Sequence, residues 1–254
     1  MNGESTRQPG LDSPPAGPAA TAEQILAELH AHANPDNVAG MARYGISATN
    51  TLGVSIPMLR DIAKRLGPMR RTDPAALHEI AAALWASGVH EARILAGFID
   101  VPELVTREQA EAWVLDFESW DVTDQVTGLL ARTQMARELA FEWTARDEEF
   151  VKRSGFVIVC AFAKKASRLP DSDLLGFLPV IEREAADERN FVKKAVNWAL
   201  RDIGKRSPML NAAAIESAER ILADNPQSAP ARWVARDALR ELRSEAVRRR
   251  LGIG

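Results

Sequence analysis

The sequence predicts an all-α protein built from stacked helical repeats, and three features of the chain carry that prediction. After position 20, apolar residues recur at the 3/4 spacing of amphipathic helices, as Ile25, Leu26 and Leu29 do. No sustained period-2 segment bounded by hairpin turns occurs anywhere. The chain also repeats itself: Asp147-Glu148-Glu149-Phe150-Val151-Lys152-Arg153 is echoed by Asp187-Glu188-Arg189-Asn190-Phe191-Val192-Lys193-Lys194, with Phe150 and Phe191 41 residues apart and Arg153 and Lys194 likewise. A further 41 residues beyond Trp198 lies Leu239, inside the helical stretch 232–239, and His90–Ala96 is a looser copy upstream. A period near 40–47 residues with two or three helices per unit is the HEAT/armadillo range. Such a unit cannot bury its apolar side alone, so neighbours stack. The expected fold is a right-handed solenoid of HEAT-like helical repeats with a concave basic groove, because repeated basic positions recur along one face.

The elements follow in order. Residues 1–20 (MNGESTRQPGLDSPPAGPAA) are expected to form a disordered tail, since this Pro, Gly and Ala tract holds too little apolar surface to offset the entropy of ordering. Thr21-Ala22-Glu23-Gln24 is read as an N-cap with a reciprocal Gln at the third position, opening the first helix. Asp73-Pro74 has the form of an N-cap and first helical residue, leading into Leu77, Ile80, Leu84 and Trp85. Later helices are punctuated by Gly67-Pro68, Val101-Pro102, Leu169-Pro170, Ser207-Pro208 and Asn225-Pro226. Residues 21–254 therefore read as one repeat domain.

Of the 254 residues, 46% are hydrophobic and 26% charged, the balance of an ordinary soluble chain. No apolar run approaches the roughly 18–20 residues that cross a bilayer. Cys160 is the only cysteine, which excludes an internal disulfide and a thiolate metal cage and points to the cytoplasm. It sits in the apolar run Phe156–Cys160, as a buried inert thiol does. The net charge of −3 conceals an asymmetry: residues 150–254 hold 20 Lys/Arg against 13 Asp/Glu, and residues 1–149 hold 12 against 22. A basic C-terminal half suits a phosphate-bearing partner, although solvated helix faces give the same count. His30-Ala31-His32 lacks a third metal ligand, and His78 and His90 stand isolated.

Phe117-Glu118-Ser119-Trp120-Asp121-Val122-Thr123-Asp124-Gln125 resembles the Trp/Asp segment of AlkD-type DNA alkylation repair proteins. Glu149–Arg153 and Phe191–Arg201 match two further segments in the same order, and Met41–Gly45 and Leu52–Pro57 match more loosely. The resemblance spans roughly residues 21–250. It implies about six HEAT-like helix pairs around a groove for duplex DNA, and release of cationic alkylpurines of the N3-methyladenine and N7-methylguanine type. It carries Asp124 over as the catalytic carboxylate, Trp120 and Trp198 as the flanking site tryptophans, and Arg153 as a basic groove residue. Lys152, Lys193, Lys194 and Arg201 complete the expected DNA contacts. Where the family often has two adjacent tryptophans, this chain has Ser119-Trp120.

Those residue types suit that chemistry. A cationic purine leaves as a neutral base while positive charge develops on the sugar, which a fixed carboxylate stabilises. Electron-rich indole faces favour a cation beside them. Tryptophans of a helical solenoid ordinarily fill its core, and Trp85, Trp113, Trp143 and Trp233 are assigned to packing. Asp121, at a helix start, is accounted for by the helix dipole. Lys193 and Lys194 sit in a helix N-terminal turn, where cations are disfavoured unless they serve something. Three functions stay open: a glycosylase working on alkylated duplex DNA as a monomer without cofactor, at the nucleoid; a non-catalytic binder of branched or distorted DNA; and a protein-binding scaffold.

Overall fold

A computed structural model of the protein describes residues 17–164, 167 and 169–253. Among them all regular structure is helical. The chain begins with α1 (Pro18–Ala31), α2 (Pro35–Ala42), α3 (Ile56–Leu66), α4 (Met69–Thr72) and α5 (Pro74–Ala86). It continues through α6 (His90–Ile99), α7 (Arg107–Leu115), α8 (Trp120–Leu130), α9 (Ala136–Thr144) and α10 (Glu149–Ala163). The last part holds α11 (Asp171–Leu175), α12 (Leu178–Glu184), α13 (Asn190–Gly204), α14 (Pro208–Asp224), α15 (Ala229–Leu242) and α16 (Glu245–Leu251).

One row runs α3, α6, α8, α10, α13, α15, each helix packing on the next. Behind it, α5 backs α6, α7 and α9 back α10, α12 and α14 back α13, and α14 also backs α15. This is the two-layer stack that the repeats predict. The 41-residue frame holds where it was read, since α10 and α13 start at Glu149 and Asn190. Upstream, α6, α8 and α10 start at residues 90, 120 and 149, so those units are shorter. His90–Ala96 belongs to the same row but lies off the 41-residue frame. The longer C-terminal units contain the extra helix α11 and the 17-residue α14.

Helix α10 is buried along most of its length, with Val151, Phe156, Ile158 and Val159 enclosed by α8, α9 and α13. A helix apolar all round belongs in the interior of a stack. Gly155 lets α9 come close: a Cβ at that position would lie 2.6 Å from the Thr144 backbone nitrogen. Cys160 is buried, and burial holds its thiol well above the ordinary value.

The caps fall largely where the sequence places them. Asp73 accepts from the Ala76 N–H at 3.0 Å to open α5, and Ser207 accepts from the Leu210 N–H at 3.3 Å to open α14. The first helix differs. It starts at Pro18, with Gly17 as N-cap, so Thr21 lies one turn inside it and bonds back to the Gly17 carbonyl at 3.2 Å. Proline fits the first helical position and alanine is the best helix former, so residues 18–20 join the helix instead of the tail. The rest of the expected tail, 1–16, lies outside the described residues. Trp85 and Trp113 stack in the core at 4.1 Å between ring centroids, and Trp143 is fully buried with its indole N–H on Glu111. Trp233 is not a packing residue; it is exposed. Among the described residues no helix is long and apolar enough to cross a membrane.

Candidate functional site

Three helices of the front row and one loop enclose a cleft of about 580 Å³. Helix α8 supplies Trp120 and Asp124, which share a face because they lie four residues apart. Helix α13 supplies Lys194 and Trp198, at the same spacing, with Asn190 and Phe191 at its start. Arg153 of α10 lies between them, and the loop after α2 contributes Arg43, Tyr44 and Gly45. The structure thus brings Trp120, Asp124, Trp198, Arg153 and Lys194 together in one cleft.

Asp124 and Arg153 form a bidentate pair. Arg153 Nε donates to one carboxylate oxygen at 2.9 Å and Nη2 to the other at 2.8 Å. The third branch of the guanidinium, Nη1, donates to the Phe191 carbonyl at 2.6 Å. Only 6% of the Arg153 side chain and 15% of the Asp124 side chain are exposed. Burial pushes the Asp124 carboxyl above its ordinary value, Arg153 pulls against it by hydrogen bond and charge, and the nearby Asp121 adds to the rise. Each carboxylate oxygen retains a second lone pair beyond the one taken by Arg153. Asp124 is the one carboxyl among the described residues that line this cleft.

Trp120 is held by its indole N–H, which donates to the Tyr44 carbonyl at 3.0 Å. Gly45 allows that loop to approach: its φ is +77°, and a Cβ there would lie 3.2 Å from the Phe191 ring. Asp121, at the start of α8, is engaged by the Ser119 hydroxyl at 2.6 Å and by His90 Nε2 at 2.8 Å. Burial raises its carboxyl, but the His90 and Ser119 contacts outweigh that and leave it below the ordinary value. His90 is therefore not isolated, and nor is His78, whose ring meets Asp100 at 2.6 Å. Both partners are more than twenty residues away in sequence, so local reading missed them.

The expected cationic contacts divide into two groups. Lys194 is exposed, lines the cleft and has no carboxylate partner among the described residues. Lys193, beside it, lies over the Trp233 ring at 5.2 Å. Arg153 lines the cleft but its guanidinium is committed to Asp124 and Phe191, which corrects its expected role as a phosphate grip. Lys152 is also placed differently: it is buried, with its ammonium 2.6 Å from Glu184 and 3.7 Å from Asp187. Adjacent helical positions point about 100° apart, so Lys152 cannot share the cleft with Arg153. Arg201 is paired with Glu241 and Asp237 toward α15. Conversely, Arg43 and Tyr44 belong to the cleft although their charge and aromatic character drew no notice in the sequence. Arg43 is exposed, without a carboxylate partner among the described residues, and Tyr44 is 72% exposed. No three metal-ligating side chains converge among the described residues.

No curated protein is significantly similar to the chain. A solved structure described as "A new family of proteins related to the HEAT-like repeat DNA glycosylases with affinity for branched DNA structures" superposes with a TM-score of 0.67, at 20% identity, over 78% of this chain and 81% of that one. At that identity the likeness establishes the fold, a HEAT-like repeat. The sequence model described as "DNA alkylation repair enzyme" matches residues 25–242, a span that contains every residue of the cleft. The chain belongs to the DNA alkylation repair enzyme family.

Proposed function

We propose that the protein is a DNA glycosylase that hydrolyses the N-glycosidic bond of positively charged alkylpurines in duplex DNA. The observation that carries this reading is the carboxylate of Asp124, held rigid by Arg153 in a cleft flanked by Trp120 and Trp198. A cationic alkylpurine departs neutral, so the reaction needs no acid for the leaving group. It needs a negative charge fixed beside the sugar, where positive charge develops. The Arg153 fork orients Asp124 before the reaction begins, and the free lone pairs of the carboxylate meet the sugar cation and the attacking water. Trp120 and Trp198 offer ring faces to the lesion, each contact worth on the order of 0.5–2 kcal/mol. Lys194 and Arg43 hold phosphates, which fixes position without reading sequence.

Release of N7-methylguanine from a methylated duplex under single-turnover conditions tests this. Asp124→Asn keeps the shape and removes the charge, so release falls by on the order of tenfold to a thousandfold. Duplex affinity is retained, because Asp124 is not a phosphate contact. Equal release by both proteins removes Asp124 from the mechanism. A non-catalytic reading, binding of branched DNA, is favoured by the description of the structural neighbour. Wild-type binding to DNA with no base release would establish that reading instead.

A further inference from the structure

Beyond the cleft, α15 carries Arg232, Trp233, Arg236, Asp237 and Arg240 at three- and four-residue spacings, so they share one stripe along a shallow groove of about 460 Å³. Trp233 is 42% exposed, whereas Trp85, Trp113 and Trp143 are buried. An indole left in water forgoes one of the largest apolar burials a side chain offers. The surroundings of Trp233 are cationic. Lys193 lies over its ring, and Arg236 is exposed with no carboxylate partner among the described residues. Arg232 places one N–H on the Pro226 carbonyl at 2.8 Å and leaves the rest of its fork unassigned. Asp237, the one acidic residue of the stripe, is neutralised by Arg201 at 3.4 Å and by Arg240. The groove also adjoins the cleft, since Lys193 over Trp233 and Lys194 in the cleft are consecutive on α13.

We propose that Trp233 is a stacking platform for an unpaired base of the bound DNA, with Lys193 and Arg236 meeting the phosphates on either side of that nucleotide. The proposal rests on the reading that the cleft takes DNA, but not on base excision. Phosphates alone call for cations without a ring. A paired base hides both faces in the helical stack, so an exposed indole gains nothing from intact duplex. An aromatic face inside a cationic groove is what a single strand uses, and it tolerates any sequence because every base has a π-face. The protein therefore prefers a duplex that continues into a few unpaired nucleotides over a blunt duplex with the same number of phosphates.

Fluorescence anisotropy at moderate salt, with unmethylated DNA of both kinds, measures that preference. Wild type favours the extended duplex on the order of tenfold. Trp233→Ala loses the preference with little change on blunt duplex, and Trp233→Phe keeps most of it. A 2-aminopurine placed in the extension is quenched by wild type and not by Trp233→Ala. Absence of a preference in wild type overturns the proposal, as does a preference that survives Trp233→Ala or an equal loss on both DNAs. None of these DNAs contains a lesion, so the platform and the excision chemistry fail separately: base release with Asp124→Asn decides one, and the extension preference of Trp233→Ala decides the other.

Discussion

Replacing Arg153 with alanine takes away the two hydrogen bonds that hold Asp124 and the one that reaches the Phe191 carbonyl. The carboxylate left behind is about as buried as before and has no counter-charge. Removing one partner of a buried ion pair costs about 3–5 kcal/mol. In a chain of this length each kcal/mol moves the midpoint of thermal unfolding by about 2–4 °C, so a fall on the order of 10 °C is expected. The loss carries a pH signature. Asp124 already sits above its ordinary value, and without Arg153 it rises further. A carboxyl whose value is higher folded than unfolded binds its proton more tightly in the native state. The penalty is therefore complete above the folded value and fades as pH falls toward the ordinary carboxylate value near about 4. Urea unfolding of wild type and Arg153→Ala at pH 7.5 and pH 5 measures both parts. Adding Asp124→Asn to Arg153→Ala replaces the stranded charge with a neutral amide and recovers about 1–3 kcal/mol at pH 7.5. A deficit below about 1 kcal/mol, or a double variant no more stable than the single one, would refute the clamp.

Three further outcomes follow from other parts of the molecule. Lys194→Ala weakens binding to duplexes of different sequence by similar factors and reduces the slope of log affinity against log salt by about one, whereas Lys152→Ala leaves that slope unchanged; salt titrations of both variants distinguish a phosphate contact from a buried pair. The depressed carboxyl of Asp121 contributes stability that is present above about pH 4 and lost as pH falls through its folded value, so His90→Ala moves the acid-unfolding midpoint, followed by circular dichroism, to higher pH; an unmoved midpoint contradicts the contact. Gly155→Ala forces a Cβ against Thr144 and destabilises by about 1–3 kcal/mol in urea, and unchanged stability would show that α9 and α10 can separate.

The fold was legible because it rests on signals local to each segment. Apolar spacing, Asp73, Ser207 and the prolines mark the helices, and the 41-residue echo reports how α10 and α13 stack. The Trp120/Asp124 and Lys194/Trp198 pairs were equally legible, since an i, i+4 spacing survives in any helix. Direction of approach was not. Lys152 and Arg153 are neighbours in sequence with the same charge, yet one pairs with Glu184 on α12 and the other with Asp124 on α8. Which carboxylate a cation meets depends on how helices 29 to 32 residues apart come to lie, and no local pattern encodes that. Arg43 and Tyr44 were missed for the same reason: they reach the cleft on a loop whose path is set by Gly45 against Phe191 and by the Trp120 indole. Trp233 was assigned to the core because most tryptophans are, and only the exposed side of α15 separates it from Trp143.

A solenoid ordinarily bends like a spring, each turn feeling only the turns beside it. Arg153 departs from that rule. It stands on α10 but grips a side chain on α8 and a backbone carbonyl on α13, so three consecutive turns are pinned through one planar group. Bending the spring at its centre stretches that link before it strains any apolar contact, which makes the middle of the superhelix its stiffest stretch. Adjustment to a partner then falls to the ends: the turns around α1 to α3 on one side and α15 to α16 on the other swing about a centre that keeps its spacing. The same pin means that no single repeat, cut out alone, contains the carboxylate in its working geometry, and that an insertion between α8 and α13 is felt at the cleft even if every helix still folds.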